Sequence, residues 1–263
     1  MMFKDQMNRV FELNKTPKRI ISLVPSQTEL LFDLGLEESI VGLTKFCVHP
    51  IHLRKEKTIV GGTKTIKVDK IKSLNPDIIL CNKEENTKEI VEICEQIAPT
   101  HVSDIFTLDD AKELITQYGT IFSLKKQALE ITTELDNKID NFKQFIKNKK
   151  ELKVAYFIWR DPWMVAGKNT FINHLLELNK FKNVYNSIDR YPEVNIANIV
   201  SNGNPDLILL SSEPYPFKDK HSSELRAHTN LSKIFFVDGE MFSWYGTRLL
   251  KAFDYFIDLH NRT

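Results

Sequence analysis

Short apolar runs alternate with longer amphipathic stretches along the whole chain. In the first half the runs are residues 19–24, 40–44, 58–60, 78–81 and 101–102. In the second they are 154–158, 207–210 and 234–237, with 163–165 a further candidate. Each is too short for a helix and too continuously apolar for a strand with one wet face, which fits strands buried on both sides of a parallel sheet. The stretches between them carry helical spacing. Pro25 ends the first strand, and Ser26-Gln27-Thr28-Glu29 matches a capping box with Ser26 as N-cap and Glu29 reaching back. Leu30, Leu31 and Leu34 then form an apolar face, and Gly35 stops the helix. Phe171–Leu178 predicts another helix. Strands and helices alternating throughout predict an α/β protein.

One phrase occurs twice. Ser73-Leu74-Asn75-Pro76-Asp77-Ile78-Ile79-Leu80 returns as Asn202-Gly203-Asn204-Pro205-Asp206-Leu207-Ile208-Leu209, with Asn75 and Asn204 standing 129 residues apart. In each copy Asn-Pro-Asp makes a turn into a buried strand. Two copies half a chain apart predict two similar Rossmann-like lobes with parallel sheets, residues 1–122 and 150–263, facing across a cleft of the kind that holds small ligands. Residues 123–149 contain no Gly or Pro, and Ala128, Ile131, Leu135, Ile139, Phe142 and Ile146 recur on one helical face. This predicts one long α-helix, roughly 40 Å, bridging the lobes. Being stiff rather than hinge-like, it predicts relative motions of only a few degrees.

Composition narrows the function. The net charge is +1, which gives no nucleic-acid footprint. No apolar run approaches the ~18 residues of a membrane span. Cys47, Cys81 and Cys94 are an odd number without zinc-type spacing, against a disulfide framework. The first thirteen residues hold Lys4, Asp5, Arg9 and Glu12 and no apolar core of an export signal. The expectation is therefore a cytoplasmic monomer, or a periplasmic one if a leader precedes the chain.

The stretch Phe3-Lys4-Asp5-Gln6-Met7-Asn8-Arg9-Val10-Phe11-Glu12-Leu13, followed by Pro17-Lys18-Arg19-Ile20-Ile21-Ser22-Leu23-Val24-Pro25-Ser26-Gln27-Thr28-Glu29, resembles the opening of helical-backbone metal-chelate receptors. These are the periplasmic substrate-binding proteins of ABC importers for cobalamin, siderophores and haem. The resemblance continues through Val60-Gly61-Gly62-Thr63, both Asn-Pro-Asp strands and Phe242-Ser243-Trp244-Tyr245-Gly246-Thr247-Arg248, and is closest to the cobalamin-binding branch. It implies two lobes joined by one long helix, no intrinsic cofactor, a corrinoid or ferric chelate as ligand, and an ABC permease as possible partner. It also implies an acidic docking residue on each lobe. Asp69 stands at the first such position, but the repeat offset puts Asn198 at the second, where no ion pair can form. Importer docking is therefore expected to be weak.

Candidate ligand-binding residues follow from strand ends, which face the crevice in α/β lobes. Trp159 and Trp163 flank Arg160 just beyond one strand, and Trp244 and Tyr245 precede Arg248. An aromatic side chain presents about 150–250 Å² to a flat macrocycle, although so large a group equally fills a core. Arg160 and Arg248 could clamp a ligand carboxylate or phosphate, or else form ordinary salt bridges. Phe46 and His49 follow a strand and are expected to line the cleft. Cys47 and His49 point to one side of an extended chain and are weak metal candidates, with His52 as a third. Glu84 and Glu213 occupy equivalent strand ends, again 129 apart, and Tyr215 and Phe217 are rim aromatics.

Enzyme signatures are missing. There is no Gly-x-Gly-x-x-Gly, Walker loop, Gly-x-Ser-x-Gly or His-Glu-x-x-His, and Gly167-Lys168-Asn169-Thr170 lacks the rest of a phosphate loop. The leading expectation is a metal-chelate binding protein. The alternatives are a two-lobed tetrapyrrole chelatase, using His49 with Glu84 or Glu213 to exchange protons for metal, and a glycosyltransferase, which would lack the connecting helix.

Overall fold

A computed structural model describes residues 1–229 and 231–263. The chain divides into two compact units. The first comprises Met1–Asp136 with Trp244–Leu249, and the second Asn137–Ser243 with Leu250–Thr263.

The first unit opens with a hairpin of β1 (Met2–Lys4) and β2 (Val10–Glu12), paired antiparallel. Then come β3 (Ile20–Ser22), α1 (Pro25–Asp33), β4 (Ile40–Leu43), α2 (Leu53–Glu56), β5 (Thr58–Ile59), α3 (Val68–Ser73), β6 (Ile78–Asn82), α4 (Lys88–Glu95), β7 (Thr100–Ser103) and α5 (Leu108–Ile121). The five strands form a parallel sheet in the order β5-β4-β3-β6-β7. All residues of β3 and β6 are buried, as runs without polar alternation require. The sequence winds outward in both directions from β3, so the switch in direction falls between β3 and β6. Ligand crevices of doubly wound sheets open at that point, beyond the carboxyl ends of the strands.

The helix α6 (Lys125–Ile146) carries the chain from the residues of one unit into those of the next. Its buried face is Ala128, Leu135, Ile139, Phe142 and Ile146, with Ile131 half-buried. It starts two residues later than its periodicity predicts. Ser123 adopts a left-handed φ of 61° and ends α5, while the Leu124 N–H reaches the Gly119 carbonyl at 2.7 Å. A Cβ on Gly119 would lie 2.5 Å from that of Ala128, so this glycine lets α5 and α6 approach closely.

The second unit contains β8 (Leu152–Trp159), β9 (Met164–Val165), α7 (Phe171–Leu178), β10 (Phe181–Asn183), β11 (Leu207–Ser211), α8 (Asp219–Arg226), β12 (Lys233–Val237), α9 (Gly239–Ser243) and α10 (Arg248–Arg262), whose first two residues belong to the first unit. Its parallel path is β10-β8-β11-β12, with β9 antiparallel on β8. Among the described residues no helix is long and apolar enough to cross a membrane.

The repeated phrase has one structural job in both units. β6 and β11 are interior strands, each beside the first strand of its sheet. Asn75 and Asn204 take φ of 44° and 48°, values that Asn tolerates better than most residues. The following aspartate stitches the turn to the neighbouring strand. The Asp77 N–H donates to the Arg19 carbonyl at 2.8 Å, and its carboxylate accepts from the Lys18 and Arg19 N–H groups at 2.9 and 3.0 Å. Asp206 repeats both contacts on Lys153, each at 2.8 Å. The repeat is thus a device for setting strand register.

Two local expectations need correction. α1 has no Ser26 cap. Val24 is its N-cap, without a side-chain hydrogen bond, and Pro25 occupies the first turn, where its missing N–H removes one donor that needs satisfying. Glu29 faces an arginine instead of reaching back. The hairpin and β10 escape sequence reading because each strand has only three residues, too few to show a period of two or a continuous apolar run. Gly35 does end α1, with φ of 84°, and the Leu36 N–H bonds the Leu31 carbonyl at 2.9 Å in a Schellman turn.

Asp77 carries a testable consequence. Partial desolvation raises its carboxyl pKa, but the Lys18 and Arg19 N–H groups and the Lys15 ammonium outweigh it and hold the group below the usual range. A depressed carboxylate contributes stability above its unfolded pKa and loses it as pH falls through its folded one. Asp77→Ala should cost about 1–2 kcal/mol at pH 7 in urea unfolding. The gap to wild type should narrow below about pH 4.

Candidate ligand-binding site

In the first unit the carboxyl ends of the strands rest on a buried polar layer. Gln27, fully buried on α1, donates to Ser103 Oγ at 2.6 Å and accepts from the Tyr118 hydroxyl at 2.8 Å. Its Nε2 also lies 3.2 Å from the Tyr245 hydroxyl. Asn82, the last residue of β6, donates to Ser103 Oγ at 3.0 Å and accepts from the Glu84 N–H at 2.8 Å. Desolvation pushes the Tyr118 and Tyr245 hydroxyls well up, so both stay protonated as hydrogen-bonding groups.

Above this layer Glu29 and Arg248 form a buried ion pair. Arg248 Nη2 lies 2.8 Å from one carboxylate oxygen and Nε 2.9 Å from the other, with both side chains 6% exposed. The Arg248 guanidinium sits 5.1 Å from the Trp244 ring centre, and His49 meets the same ring edge-on at 5.6 Å. The structure thus brings His49, Trp244 and Arg248 together. Tyr245 is buried beside them in sequence, and Trp244 is only 6% exposed.

Other candidates in this unit stand apart. Phe46 is 49% exposed, with the Lys45 ammonium 4.9 Å from its ring centre. Glu84 is half-buried, and its carbonyl accepts from Lys64 Nζ at 2.5 Å. At its neighbour Glu85, burial raises the carboxyl pKa against the opposing charge of Lys64. Cys47 is fully buried, 3.1 Å from Thr28 Oγ1 and 3.3 Å from Thr44 Oγ1. Desolvation raises its thiol despite those hydroxyls, which disfavours the thiolate a metal would need.

In the second unit five candidates converge at and just beyond the carboxyl ends of β8 and β11. Trp163 stacks on Phe217 with centroids 5.7 Å apart and planes at 13°. Tyr215 packs edge-on against Phe217 at 4.9 Å and Trp159 at 5.5 Å. The Arg160 guanidinium lies 4.9 Å from the Trp163 ring centre and bonds Glu224 at 3.0 Å, with Asp161 also against it. Trp163 and Phe217 are buried, whereas Trp159 is 38% exposed and Tyr215 half-buried.

Glu224 and His221 complete this cluster and were missed in the sequence. His221 Nδ1 accepts from the Lys218 N–H at 2.9 Å, so the neutral ring carries its proton on Nε2. That proton points to the Tyr215 oxygen 3.1 Å away, which leaves the tyrosine's own hydrogen available to a ligand. The signal for this pair was their spacing of three on α8, which sets both on one helical face. Glu213 accepts from the Ser243 hydroxyl at 2.9 Å. Glu84 and Glu213 each lie two residues beyond a matching strand.

Comparison with known proteins fits this architecture. The profile of the periplasmic binding protein family matches residues 20–238, and the chain belongs to that family. It is 27% identical over 189 residues to the uncharacterised ABC transporter substrate-binding lipoprotein YvrC of Bacillus subtilis, covering 68% of this chain and 59% of that protein's length. It is 24% identical over 242 residues to the vitamin B12-binding protein of Pectobacterium carotovorum, covering 90% and 86%. The apo structure of the periplasmic haem-binding protein RhuT from Roseiflexus superposes with a TM-score of 0.81 at 20% identity, over 93% of this chain and 98% of that one, and so shares the fold.

These findings bear out the metal-chelate receptor resemblance and the two-lobed α/β architecture with its long helix. They set aside the chelatase and glycosyltransferase alternatives, since the relatives are binding proteins. The expectation of a cytoplasmic protein is overturned. The family is periplasmic and the Bacillus relative is a lipoprotein, which points outside the cytoplasm.

The burial contrast among the tryptophans predicts different costs. Trp163→Ala should lose about 3–5 kcal/mol of stability, since it empties a packed stack. Trp159→Ala should lose no more than about 1 kcal/mol. Thermal melts of the two variants check this.

Proposed function

We propose that this chain is the substrate-binding protein of an ABC importer, working outside the cytoplasm, and that its ligand is a metal chelate. A corrinoid is the first choice, with haem and ferric siderophores as the alternatives. The observation that carries this reading is the aromatic cluster of the second unit. It combines partly exposed ring surface on Trp159 and Tyr215 with a hydroxyl hydrogen that His221 leaves free. Such a surface suits a large, flat ligand with polar edges. Arg160 adds positive charge at the rim, although Glu224 and Asp161 already engage it, which favours a ligand of modest negative charge. The similarity to a vitamin B12-binding protein over 90% of the chain supports the corrinoid.

Asp69 and Asn198 bear on the permease. Both are exposed on short helical turns ahead of the equivalent strands β6 and β11. Only the first carries charge. Docking therefore draws its electrostatic steering from the first unit, and rim charges of this kind chiefly set association rate and register.

The test is a titration with cyanocobalamin, haemin and a ferric siderophore, followed by tryptophan quenching and ligand absorbance. One chelate should saturate the protein at 1:1. Trp159→Ala should weaken that binding by about 1–3 kcal/mol while leaving the fold intact. Absence of saturation by any of the three, or wild-type affinity in the Trp159 variant, would count against this reading.

A further inference from the structure

Glu37, His52 and Glu56 gather in the first unit, so His52, the third metal candidate of the sequence, meets two carboxylates and not Cys47 or His49. One ligand atom from each lies within 4.8 Å of the other two, and His52 Nε2 is 2.6 Å from Glu37 Oε1. Two short segments build the group. Glu37 opens the 3₁₀ turn Glu37–Ser39, while His52 is the residue before α2 and Glu56 ends that helix. His52 and Glu56 are four apart and share one helical face. Phe32, on α1, packs edge-on against the imidazole at 5.7 Å and so holds the ring between the carboxylates. Glu37 and His52 are half-buried and Glu56 is exposed. Among the described residues the Glu56 carboxylate has no hydrogen-bond or ion-pair partner.

We infer that this group is a binding site for one first-row divalent cation, zinc above all, with His52 giving the nitrogen and Glu37 and Glu56 one oxygen each. Three arguments support it. Two carboxylates around a single imidazole carry more negative charge than that ring balances, and a divalent cation neutralises it. A nitrogen donor with carboxylates suits zinc and its neighbours, whereas calcium and magnesium favour all-oxygen shells. Zinc ligands at about 2.0–2.2 Å stand roughly 3.3 Å apart in a tetrahedron. The present spacings, 2.6 Å for Glu37 to His52 and at most 4.8 Å within the group, bracket that distance, and Glu56 is exposed and able to turn toward an ion. Three protein ligands leave a fourth position open to water, or to a donor from another molecule. The site uses none of the residues assigned to the chelate and takes a free metal ion, so it stands whether or not the chelate reading does.

The experiment is calorimetric titration of tag-free protein with zinc chloride, with cobalt(II) absorption as a second readout of coordination. The expected result is one zinc per chain at micromolar affinity, and visible cobalt bands of a low-coordinate site. His52→Ala and Glu56→Gln should each weaken zinc at least about tenfold. His228→Ala, at another exposed histidine, should leave it unchanged. No saturable binding below about 1 mM, or unaltered affinity in both the His52 and Glu56 variants, would overturn the inference.

Discussion

The ion pair between Glu29 and Arg248 is the constraint on which the arrangement of candidate residues in the first unit depends. Its two residues lie 219 positions apart, yet their charged groups meet at 2.8 Å with almost no exposure to water. Buried pairs of this kind add little net stability, because desolvation offsets their attraction, but removing one partner strands a charge and costs about 3–5 kcal/mol. The value of the pair is positional. It fixes residues 244–249 onto α1, where they rejoin the first unit after a long excursion through the second. Gly246 permits that return. Its φ is 88°, and a Cβ there would press within 3.3 Å of Leu30. Trp244 then lies over the arginine and meets His49 edge-on, so four side chains from three distant segments hold one arrangement.

The second unit organises its face differently. It has no buried ion pair of this type among the described contacts. It relies on ring packing, with Trp163 on Phe217 as the base and Tyr215 and Trp159 at the edge. The Arg160–Glu224 pair closes the cluster at a half-exposed position, where screening limits its energy. A packed aromatic stack keeps its shape without ordered water, which suits the ligand surface proposed for it.

Much of the fold was legible in the chain because strands buried on both faces leave unbroken apolar runs. The Asn-Pro-Asp copies were legible as a repeat, but their purpose was not. That Asp77 and Asp206 clasp the backbone of the neighbouring strand becomes visible only when β3 and β8 lie beside them. Glu29 shows the opposite failure. Its local spacing matched a capping box, and a partner more than two hundred residues away took it instead. The strand-end rule found Trp159, Arg160, Trp163, Tyr215 and Phe217 as separate candidates, but their grouping with His221 and Glu224 is a tertiary fact. The compartment was misread because an α/β domain folds alike on either side of a membrane, and only kinship indicates which side applies.

The central claim is that this protein holds one metal chelate. Native mass spectrometry tests it most directly, after incubation with an equimolar mixture of cobalamin, haem and ferric siderophore. The account predicts a single 1:1 adduct whose added mass identifies the chelate and survives gentle activation. A spectrum containing only the unliganded chain, at ligand concentrations well above those in solution around a cell, would contradict it.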